Sequence, residues 1–336
     1  MGRRPQRLLP VALAAAVLGA AAAPEATAAP TGDAALGCDR TLAAGGDVVA
    51  FVAGLGPGEV GCLREGIHVA AGVARIGAPG VLLSSYPGES ATLSGRLWID
   101  AGGDRAVVQD LILDGRNPEA KPSPTINADD VVLRGNEISN EHTAICVSVN
   151  DYGGEPPPRR VVIEGNVIHD CGLLPATNHH HGIYLAGARG ALVSGNLIYG
   201  NADRGIQLYP DADGSVVVGN VIDGNGSGLI FGGDGSSSSD RNLVAGNIIT
   251  GSGDRFNIES HWQGPIGEGN VAIGNCLATT ADEYGGSPPG SGLEPSMQGV
   301  LTFGNAVARP GYEAPTVDAA ALVGAFPCGA GGAARG

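Results

Sequence analysis

The chain has 336 residues and a formal net charge of −15, with only 19 lysine and arginine residues. Such an acidic chain lacks the basic face that phosphate backbones require, so the composition excludes nucleic acid as a partner. Glycine accounts for 57 residues and aromatic residues for 4%. Glycine follows no period of three, which excludes collagen, and recurring apolar runs exclude a disordered protein. The core must therefore be built from valine, isoleucine, leucine and alanine.

The first segment is typical of a secretory signal peptide. Arg3, Arg4 and Arg7 give it a positive start, an alanine-rich apolar stretch follows, and small residues offer a cleavage point near Ala28. We therefore expect residues 1–28 to be a signal peptide and the mature chain to be secreted to the extracellular space. No later segment is apolar over the length of a membrane span, so no membrane partner is expected.

Six cysteines in an exported chain predict disulfide bonds. No CxxC pair occurs, so a zinc ribbon or a thioredoxin-like site has no support. Because six cysteines allow many connectivities, the pairing of nearest neighbours along a coiled chain is a hypothesis. It pairs Cys38 with Cys62, Cys146 with Cys171, and Cys276 with Cys328.

An internal repeat marked by a Gly-Asn pair runs through the chain. Each copy has a β-branched strand, the Gly-Asn corner and a second apolar alternation, without a helical period. Successive asparagines are 30, 30, 24, 27, 28 and 30 residues apart. A unit this short cannot bury its own apolar face, so the units must stack as a parallel β-solenoid. The repeated residues are Asn136, Asn166, Asn196, Asn220, Asn247, Asn275 and Asn305.

The asparagines are expected to form a ladder along the stacked coils. Asparagine tolerates the dihedral angles of a tight corner, and its amide can bond to backbone groups of its own and of adjacent coils. The ladder would therefore satisfy polar groups that the stacking of coils removes from water.

The Gly-Asn ladder, with the entry segment VLLSSYPGESATLSG and the following VVQDLILDG, resembles right-handed parallel β-helix proteins of the pectate-lyase-like superfamily. The resemblance covers about Cys38 to Val307. It implies an all-β, single-domain right-handed parallel β-helix, to which we assign residues 29–328, followed by a disordered tail at 329–336. The superfamily implies a polysaccharide partner and contains lyases, hydrolases, epimerases and non-catalytic proteins, so the fold does not select the reaction. We expect a monomer.

The strand after each corner predicts which side chains face outwards. The aligned copies are AICVS from Ala144, GIYLA from Gly182, GIQLY from Gly205, GLIFG from Gly228 and RFNIE from Arg255. Their second and fourth residues are apolar and should point into the core, whereas the third and fifth should point outwards. Neighbouring coils stack about 4.8 Å apart, so the outward residues should line one groove along the axis.

The run NHHHGIYLAG, starting at Asn178, ends an insertion between a corner and its strand, where a solenoid commonly carries a binding loop. A lyase or epimerase of uronic-acid polysaccharide needs a base, an acid and a group that neutralises the sugar carboxylate. We assign His181 as base, Tyr184 as acid or base, and Arg204 as the carboxylate partner. The substrate-binding candidates are His179, Gln207, Tyr209, Arg255, Asn257, Glu259, His261 and Trp262.

Two other functions remain open at this point. A glycoside hydrolase would use paired carboxylates, for which Asp203, Asp254 and Glu259 are candidates. A non-catalytic glycan-binding protein would need only the groove and its aromatic residues. Several β-helix lyases that the chain resembles use a lysine base, and Lys121, the only lysine, lies outside the matching repeats.

Metals and cofactors have weak support in the sequence. Adjacent histidines on an extended segment point to opposite sides, so at most His179 and His181 would converge, and we predict no metal site there. The acidic loop Asp211 to Gly214, with Asp234, offers oxygen ligands for calcium but matches no calcium-loop spacing, so we interpret it as a turn. No cofactor is therefore predicted, and calcium stays open as the alternative.

Overall fold

The computed structural model describes residues 37–152, 156–260, 264–278, 293 and 297–307. These residues form a stack of coils in which short strands pair in parallel from one coil to the next. The strands make three flat faces around a common interior. The predicted all-β solenoid is thereby confirmed.

Face 1 is an 11-stranded parallel sheet. Its strands, in stacking order, are β1 (Arg40–Leu42), β2 (Val60–Leu63), β4 (Leu82–Ser85), β6 (Val107–Gln109), β9 (Val132–Arg134), β12 (Val162–Glu164), β15 (Leu192–Ser194), β18 (Val216–Val218), β23 (Leu243–Ala245), β26 (Asn270–Ile273) and β28 (Val300–Phe303).

Faces 2 and 3 are continuous through the long strand β5 (Ala91–Ile99), because its two halves pair with different strands. Face 2 continues through β7 (Ile112–Asp114), β10 (Glu137–Ser139), β13 (Val167–His169), β16 (Leu197–Tyr199), β19 (Val221–Asp223), β24 (Ile248–Thr250), β27 (Cys276–Ala278) and β29 (Ala306–Val307). Face 3 continues through β8 (Thr125–Ile126), β11 (Val147–Val149), β14 (Ile183–Leu185), β17 (Arg204–Leu208), β20 (Ser227–Phe231) and β25 (Ile258–Ser260).

Three elements lie outside this pattern. Strand β3 (Gly66–Ile76) pairs with β5, and β21 (Gly233–Asp234) with β22 (Ser237–Ser238) forms a small antiparallel hairpin. Helix α1 (Val48–Ala53) begins at Asp47, whose carboxylate accepts a hydrogen bond from the Ala50 amide at 2.9 Å. The helix packs against β3, and its Phe51 joins the core, so α1 covers the first coil.

The interior is filled by aliphatic side chains that stack along the axis. On face 2, for example, Ile138, Ile168, Ile198 and Ile222 occupy successive paired positions and are fully buried. Such stacking removes apolar area from water at every coil, which supplies the main stabilisation of a fold poor in aromatic residues.

The predicted asparagine ladder is present between faces 1 and 2. The Asn166 backbone and side-chain amides donate to Asn196 Oδ1 at 2.9 and 3.0 Å, and its side chain also donates to the Leu133 carbonyl at 3.0 Å. The same pattern recurs from Asn136 to Asn305. Each amide therefore satisfies backbone groups of neighbouring coils.

Two shorter ladders, which the sequence analysis did not identify, occupy the other corners. Asn201 donates to Asn225 between faces 2 and 3, at 2.8 Å from Nδ2 to Oδ1. Asn242 donates to Asn270 at 3.0 Å between faces 3 and 1. All three corners of the solenoid are thus held by buried amides in these coils.

Two of the predicted disulfide bonds are confirmed. Cys38 bonds to Cys62 and Cys146 to Cys171, with sequence separations of 24 and 25 residues. Each bond joins neighbouring coils, as a nearest-neighbour pairing requires. The third predicted partner, Cys328, lies outside the described residues.

Candidate functional site

The outer side of face 3 carries the predicted groove residues. Tyr184 pairs in register with Gln207, Gln207 with Ile230, and Ile230 with Glu259. The alternate residues of these strands point inwards, as predicted for the copies at Gly182, Gly205 and Gly228. The buried inner residues are Ile183, Leu185, Ile206, Leu208, Leu229, Phe231 and Ile258.

The predicted alignment is wrong by two residues in the first and last copies. Ser148, rather than Cys146, pairs with Tyr184. Glu259, rather than Asn257, pairs with Ile230. An apolar alternation of period two is unchanged by a two-residue shift, so the sequence pattern could not detect this error.

Cys146 and Asn257, the two residues misplaced by this shift, do not line the groove. Cys146 forms the disulfide bond with Cys171. Asn257, predicted to bind substrate, is fully buried just before β25, and its Oδ1 accepts a hydrogen bond from Ser252 Oγ at 2.6 Å. A buried, hydrogen-bonded amide at a corner does not line an outer surface, so Asn257 is removed from the groove.

The histidine insertion is fixed to the corner by the carboxylate of Asp203. This carboxylate accepts backbone N–H bonds from Asn178 at 2.6 Å, His179 at 2.9 Å and His180 at 2.7 Å. Asp203 is 6% exposed, so the bonds form in a largely water-free setting. Asp203, a carboxylate candidate for a hydrolase, therefore has a structural role here, because its oxygens hold the insertion in place.

The three histidines point into different environments. The His179 side chain is exposed, whereas His180 is half-buried and its Nδ1 lies 2.9 Å from the Thr177 hydroxyl. Burial lowers the pKa of His180. His181 is buried, so the run does not form a convergent metal site. Within the described ranges no group of three histidine, cysteine or acidic residues could hold a metal ion.

His181, predicted as an outward-facing base, lies beneath the outer surface. It is 1% exposed, its Nδ1 accepts the Arg204 backbone N–H at 3.4 Å, and its ring meets Tyr184 edge-on with centroids 5.8 Å apart. Burial, followed by the nearby Arg204 charge, holds the pKa of His181 well below its usual range. The ring is therefore neutral at pH 7, with its proton on Nε2.

Arg204, predicted to receive a substrate carboxylate, is paired within the protein. It and Glu259 are each 2% exposed, and Arg204 Nε and Nη2 both lie 2.9 Å from Glu259 Oε2. The other guanidinium nitrogen, Nη1, donates to Asn178 Oδ1 and, at 3.4 Å, to Gln207 Oε1. Burying a cation costs free energy unless an anion and hydrogen-bond acceptors compensate the lost hydration, and Glu259 provides that anion for Arg204.

Arg255 completes this network from the solvent side. Its Nε donates to Glu259 Oε1 at 2.6 Å, and its side chain is 39% exposed. Glu259, predicted to bind substrate, is thus shared by two arginines. The network borders a cleft of about 210 Å³ beside the histidine insertion, lined by Ala176, Thr177, Asn178, Asp203, Arg204, Gly226, Ser227, Asp254 and Arg255.

A row of aromatic side chains follows face 3 on its outer side. The Trp98 and Tyr152 rings lie 5.5 Å apart, and Tyr152 and Tyr209 both lie near enough to Tyr184 to influence its pKa. Burial raises the pKa of Tyr184, so it is a phenol at neutral pH. Burial and a hydrogen bond to Asp234 raise the pKa of Tyr209. We call Trp98, Tyr152, Tyr184 and Tyr209 the aromatic row.

Two residues predicted to bind substrate, His261 and Trp262, lie outside the described residues. Among the residues that the structure does describe, no helix has the length and apolarity to cross a membrane.

Comparison with known proteins identifies the fold. Residues 125–282, a little under half of the chain, match the family model described as right handed beta helix region. The chain is a right-handed parallel β-helix. None of the curated proteins matches the sequence.

Three solved structures share this β-helix architecture at low identity. Pectate lyase Pel9A is 12% identical with a TM-score of 0.56, and the match covers 81% of this chain and 79% of that one. The Dettilon tailspike protein is 12% identical with a TM-score of 0.51, and the match covers 79% of this chain and 52% of that one. The periplasmic alginate epimerase AlgG is 15% identical with a TM-score of 0.50, and the match covers 76% of this chain and 61% of that one. The chain thus spans about half the length of the tailspike, and these likenesses establish the fold alone.

Sequence reasoning missed two members of the aromatic row. Trp98 lies on β5 before the first Gly-Asn repeat, and Tyr152 lies in the connection after β11. Neither belongs to an aligned strand copy. The available signal was composition: in a β-helix whose residues are 4% aromatic, each aromatic side chain outside the core is unusual.

Proposed function

We propose that this β-helix is an exported protein that binds a polysaccharide along the outer side of face 3. The aromatic row carries this proposal, because aromatic side chains spread along several coils suit the stacking of sugar rings along a polysaccharide chain. The names of the structural neighbours, a pectate lyase, an alginate epimerase and a tailspike, support a polysaccharide. The two disulfide bonds support export, and residues 1–28 are proposed as the signal peptide.

The proposed reaction is removal of the C5 proton of a uronic-acid residue, leading to β-elimination or to epimerisation. In either case the reacting sugar needs a proton acceptor, a proton donor and a cation near its carboxylate. Tyr184 is assigned as the proton donor, because its raised pKa keeps the hydroxyl protonated at neutral pH. It is half-buried on the outer face, so its hydroxyl can contact a sugar.

His181 is assigned as a positioning residue behind Tyr184. Its ring is neutral and inaccessible, and it meets the Tyr184 ring edge-on, so it fixes the phenol without touching a sugar. The proton acceptor is assigned to the half-buried His180, which burial also keeps neutral. The exposed His179 on the same loop is assigned to substrate binding.

The half-exposed Arg255 replaces Arg204 as the proposed partner of the sugar carboxylate. Both arginines line the cleft, but the Arg255 side chain is 39% exposed, whereas the Arg204 side chain is 2% exposed and is held by Glu259 and Asn178. Tyr209 remains a proposed substrate contact in the coil after Tyr184, whereas Gln207 is 7% exposed and its Oε1 accepts a hydrogen bond from Arg204, so Gln207 is assigned to the buried network.

The hydrolase alternative has less support. Asp203 binds three backbone amides, and Glu259 is shared by two arginines. Of its three candidate carboxylates, only the exposed Asp254 keeps an open position. Two carboxylates flanking a glycosidic bond are required, so the geometry favours proton transfer at carbon.

The test is proton exchange at C5. Mature protein would be incubated with alginate, polygalacturonate and glycosaminoglycans in D₂O, with loss of the H5 signal followed by NMR and unsaturated ends followed by ultraviolet absorbance. Tyr184→Phe should lose at least about a hundredfold in rate. Tyr199→Phe is the matched control, because Tyr199 stacks on His169 at 5.1 Å on face 2, away from the aromatic row.

The outcomes separate the hypotheses. H5 loss with unsaturated ends indicates a lyase, and H5 loss without them indicates an epimerase. New reducing ends without H5 loss would replace the proposal by a hydrolase. Binding without any reaction would leave a glycan-binding protein, and equal rates for Tyr184→Phe and wild type would refute the role of Tyr184.

A further inference from the structure

A second group of cationic and aromatic side chains lies at the N-terminal end of face 3. Arg96 and Trp98 point outwards from β5, where buried and half-buried residues alternate. The Trp98 position is followed in register by Thr125, then Ser148, then Tyr184. Three strand spacings of about 4.8 Å separate Trp98 from Tyr184 by roughly 14 Å along the axis.

Two guanidinium groups and a phenol ring surround the Trp98 indole. The Cζ atoms of Arg75 and Arg96 lie 5.0 and 4.7 Å from its ring centroid, and the Tyr152 ring lies at 5.5 Å. These distances are those of cation–π and aromatic pairs. The group is therefore one connected cluster of two cations on an aromatic platform.

The two arginines differ in their counter-ions. Arg75 pairs with Asp100 at 2.6 Å. Arg96 forms no ion pair with any described residue, and its Nε and the Trp98 Nε1 are buried without hydrogen-bond partners. Burial, followed by the charge of Arg75, lowers the pKa of Arg96. The charge of Glu119 acts on the pKa of Arg96 in the opposite direction, but Glu119 forms no ion pair with it, so a paired anion would have to come from a ligand.

A comparable stack elsewhere in the protein has its own anion. The Arg64 Cζ lies 4.4 Å from the Tyr86 ring centroid, and its guanidinium pairs with Glu89 at 2.5 Å. The arginine-on-aromatic motif is thus compatible with a bound carboxylate in this protein. Arg96 differs in facing outwards on the same side as Tyr184.

We propose that Arg75, Arg96, Trp98 and Tyr152 form a binding subsite for an anionic sugar residue. Trp98 holds the two guanidinium groups in place, the exposed Tyr152 ring contacts the sugar, and Arg96 pairs with the carboxylate or sulfate that the sugar carries. The proposal rests on the proposed function and specifies its substrate class. Tyr152 lies between Trp98 and Tyr184 in the aromatic row, so an acidic polysaccharide would occupy both places at once.

The test is calorimetric binding of polymers that differ in charge, using the mature full-length protein. Polygalacturonate and alginate supply carboxylates, a sulfated glycosaminoglycan supplies sulfates, and dextran is neutral. Arg96→Gln is the test variant and Arg64→Gln the matched control, because Arg64 has a counter-ion within the protein. Arg96→Gln should weaken binding of the preferred acidic polymer about tenfold, and Arg64→Gln should not change it.

Further measurements distinguish a loss of binding from misfolding and from failure of the proposed reaction. Thermal unfolding should show that Arg96→Gln folds, and Trp98→Ala should weaken binding in the same direction. If acidic polymers bind wild type and Arg96→Gln equally, the subsite is wrong even where C5 exchange occurs. If Arg96→Gln weakens binding while wild type exchanges no C5 proton, the subsite stands and the proposed reaction is wrong. Failure of every acidic polymer to bind overturns both.

Discussion

Removal of the Glu259 charge should destabilise the protein far more than removal of an exposed carboxylate. In Glu259→Gln, Arg204 keeps its positive charge in a position that is 2% exposed, and the ion pair between Arg255 and Glu259 is also lost. Breaking one side of a buried pair costs about 3–5 kcal/mol. The glutamine oxygen can still accept a hydrogen bond, so we expect a loss near 3 kcal/mol.

The measurement is urea unfolding followed by circular dichroism and tryptophan fluorescence. The matched control is Asp130→Asn, the same exchange of acid for amide in the pair with Arg160 at 2.6 Å. Both of those side chains are at least one-third exposed, so the control should lose about 1 kcal/mol or less. Equal losses for the two variants would refute the reasoning.

The same variant should loosen the histidine insertion. Arg204 binds Glu259 on one side and Asn178 of the insertion on the other. Once the guanidinium is no longer held by a carboxylate, the amides of His179 and His180 should exchange faster with solvent. Hydrogen exchange at the Asn242 corner provides the internal control. A double variant, Arg204→Met with Glu259→Leu, should recover much of the lost stability, since it leaves no buried charge unpaired.

The remaining predictions concern the ladder, a close backbone approach and pH. Asn196→Ala should cost about 1–3 kcal/mol in urea unfolding, because buried amide and carbonyl groups of two coils lose their partners; an unchanged midpoint would contradict this. Gly228→Ala should lower the unfolding temperature, because its Cβ would clash with the Asn257 carbonyl oxygen, whereas Gly77→Ala meets open space and should have little effect. The folded pKa of His181 is below its unfolded value, so the unfolded chain binds more protons and stability should fall as pH drops below about 6.5. His181→Gln should flatten that loss, and a variant with the wild-type pH profile would refute the assignment.

The solenoid could be predicted because its signals are local and repeated. A Gly-Asn corner such as the one at Asn196 recurs at nearly constant spacing, and each corner is flanked by apolar alternation. Stacking follows from the need of each coil to bury one face. The neighbouring disulfide pairs followed from the same logic, since adjacent coils bring Cys38 near Cys62.

The site could be predicted only as a face, not as a set of contacts. The pattern placed Tyr184 and Gln207 on one side correctly, because strand periodicity determines orientation. It could not determine that Arg204 is buried, because burial there depends on the insertion and on a carboxylate 55 residues later. The two-residue error at Asn257 arose because a period of two repeats itself after such a shift.

The position of Arg204 shows how a solenoid can assemble a site from non-adjacent coils. Most contacts in a repeat protein join neighbouring repeats. Arg204 on β17 instead reaches past β20 to Glu259 on β25, and in the opposite direction to Asn178. The intervening outward position is occupied by Ile230, an apolar residue that is 2% exposed. Because Ile230 is uncharged, it does not compete with Glu259 for the Arg204 guanidinium. The contacts of Arg204 with Glu259 and Asn178 thereby connect the histidine insertion to the coils beyond it. We infer that the outer side of face 3 was built to hold one loop rigid, which is the condition for placing Tyr184 against a sugar.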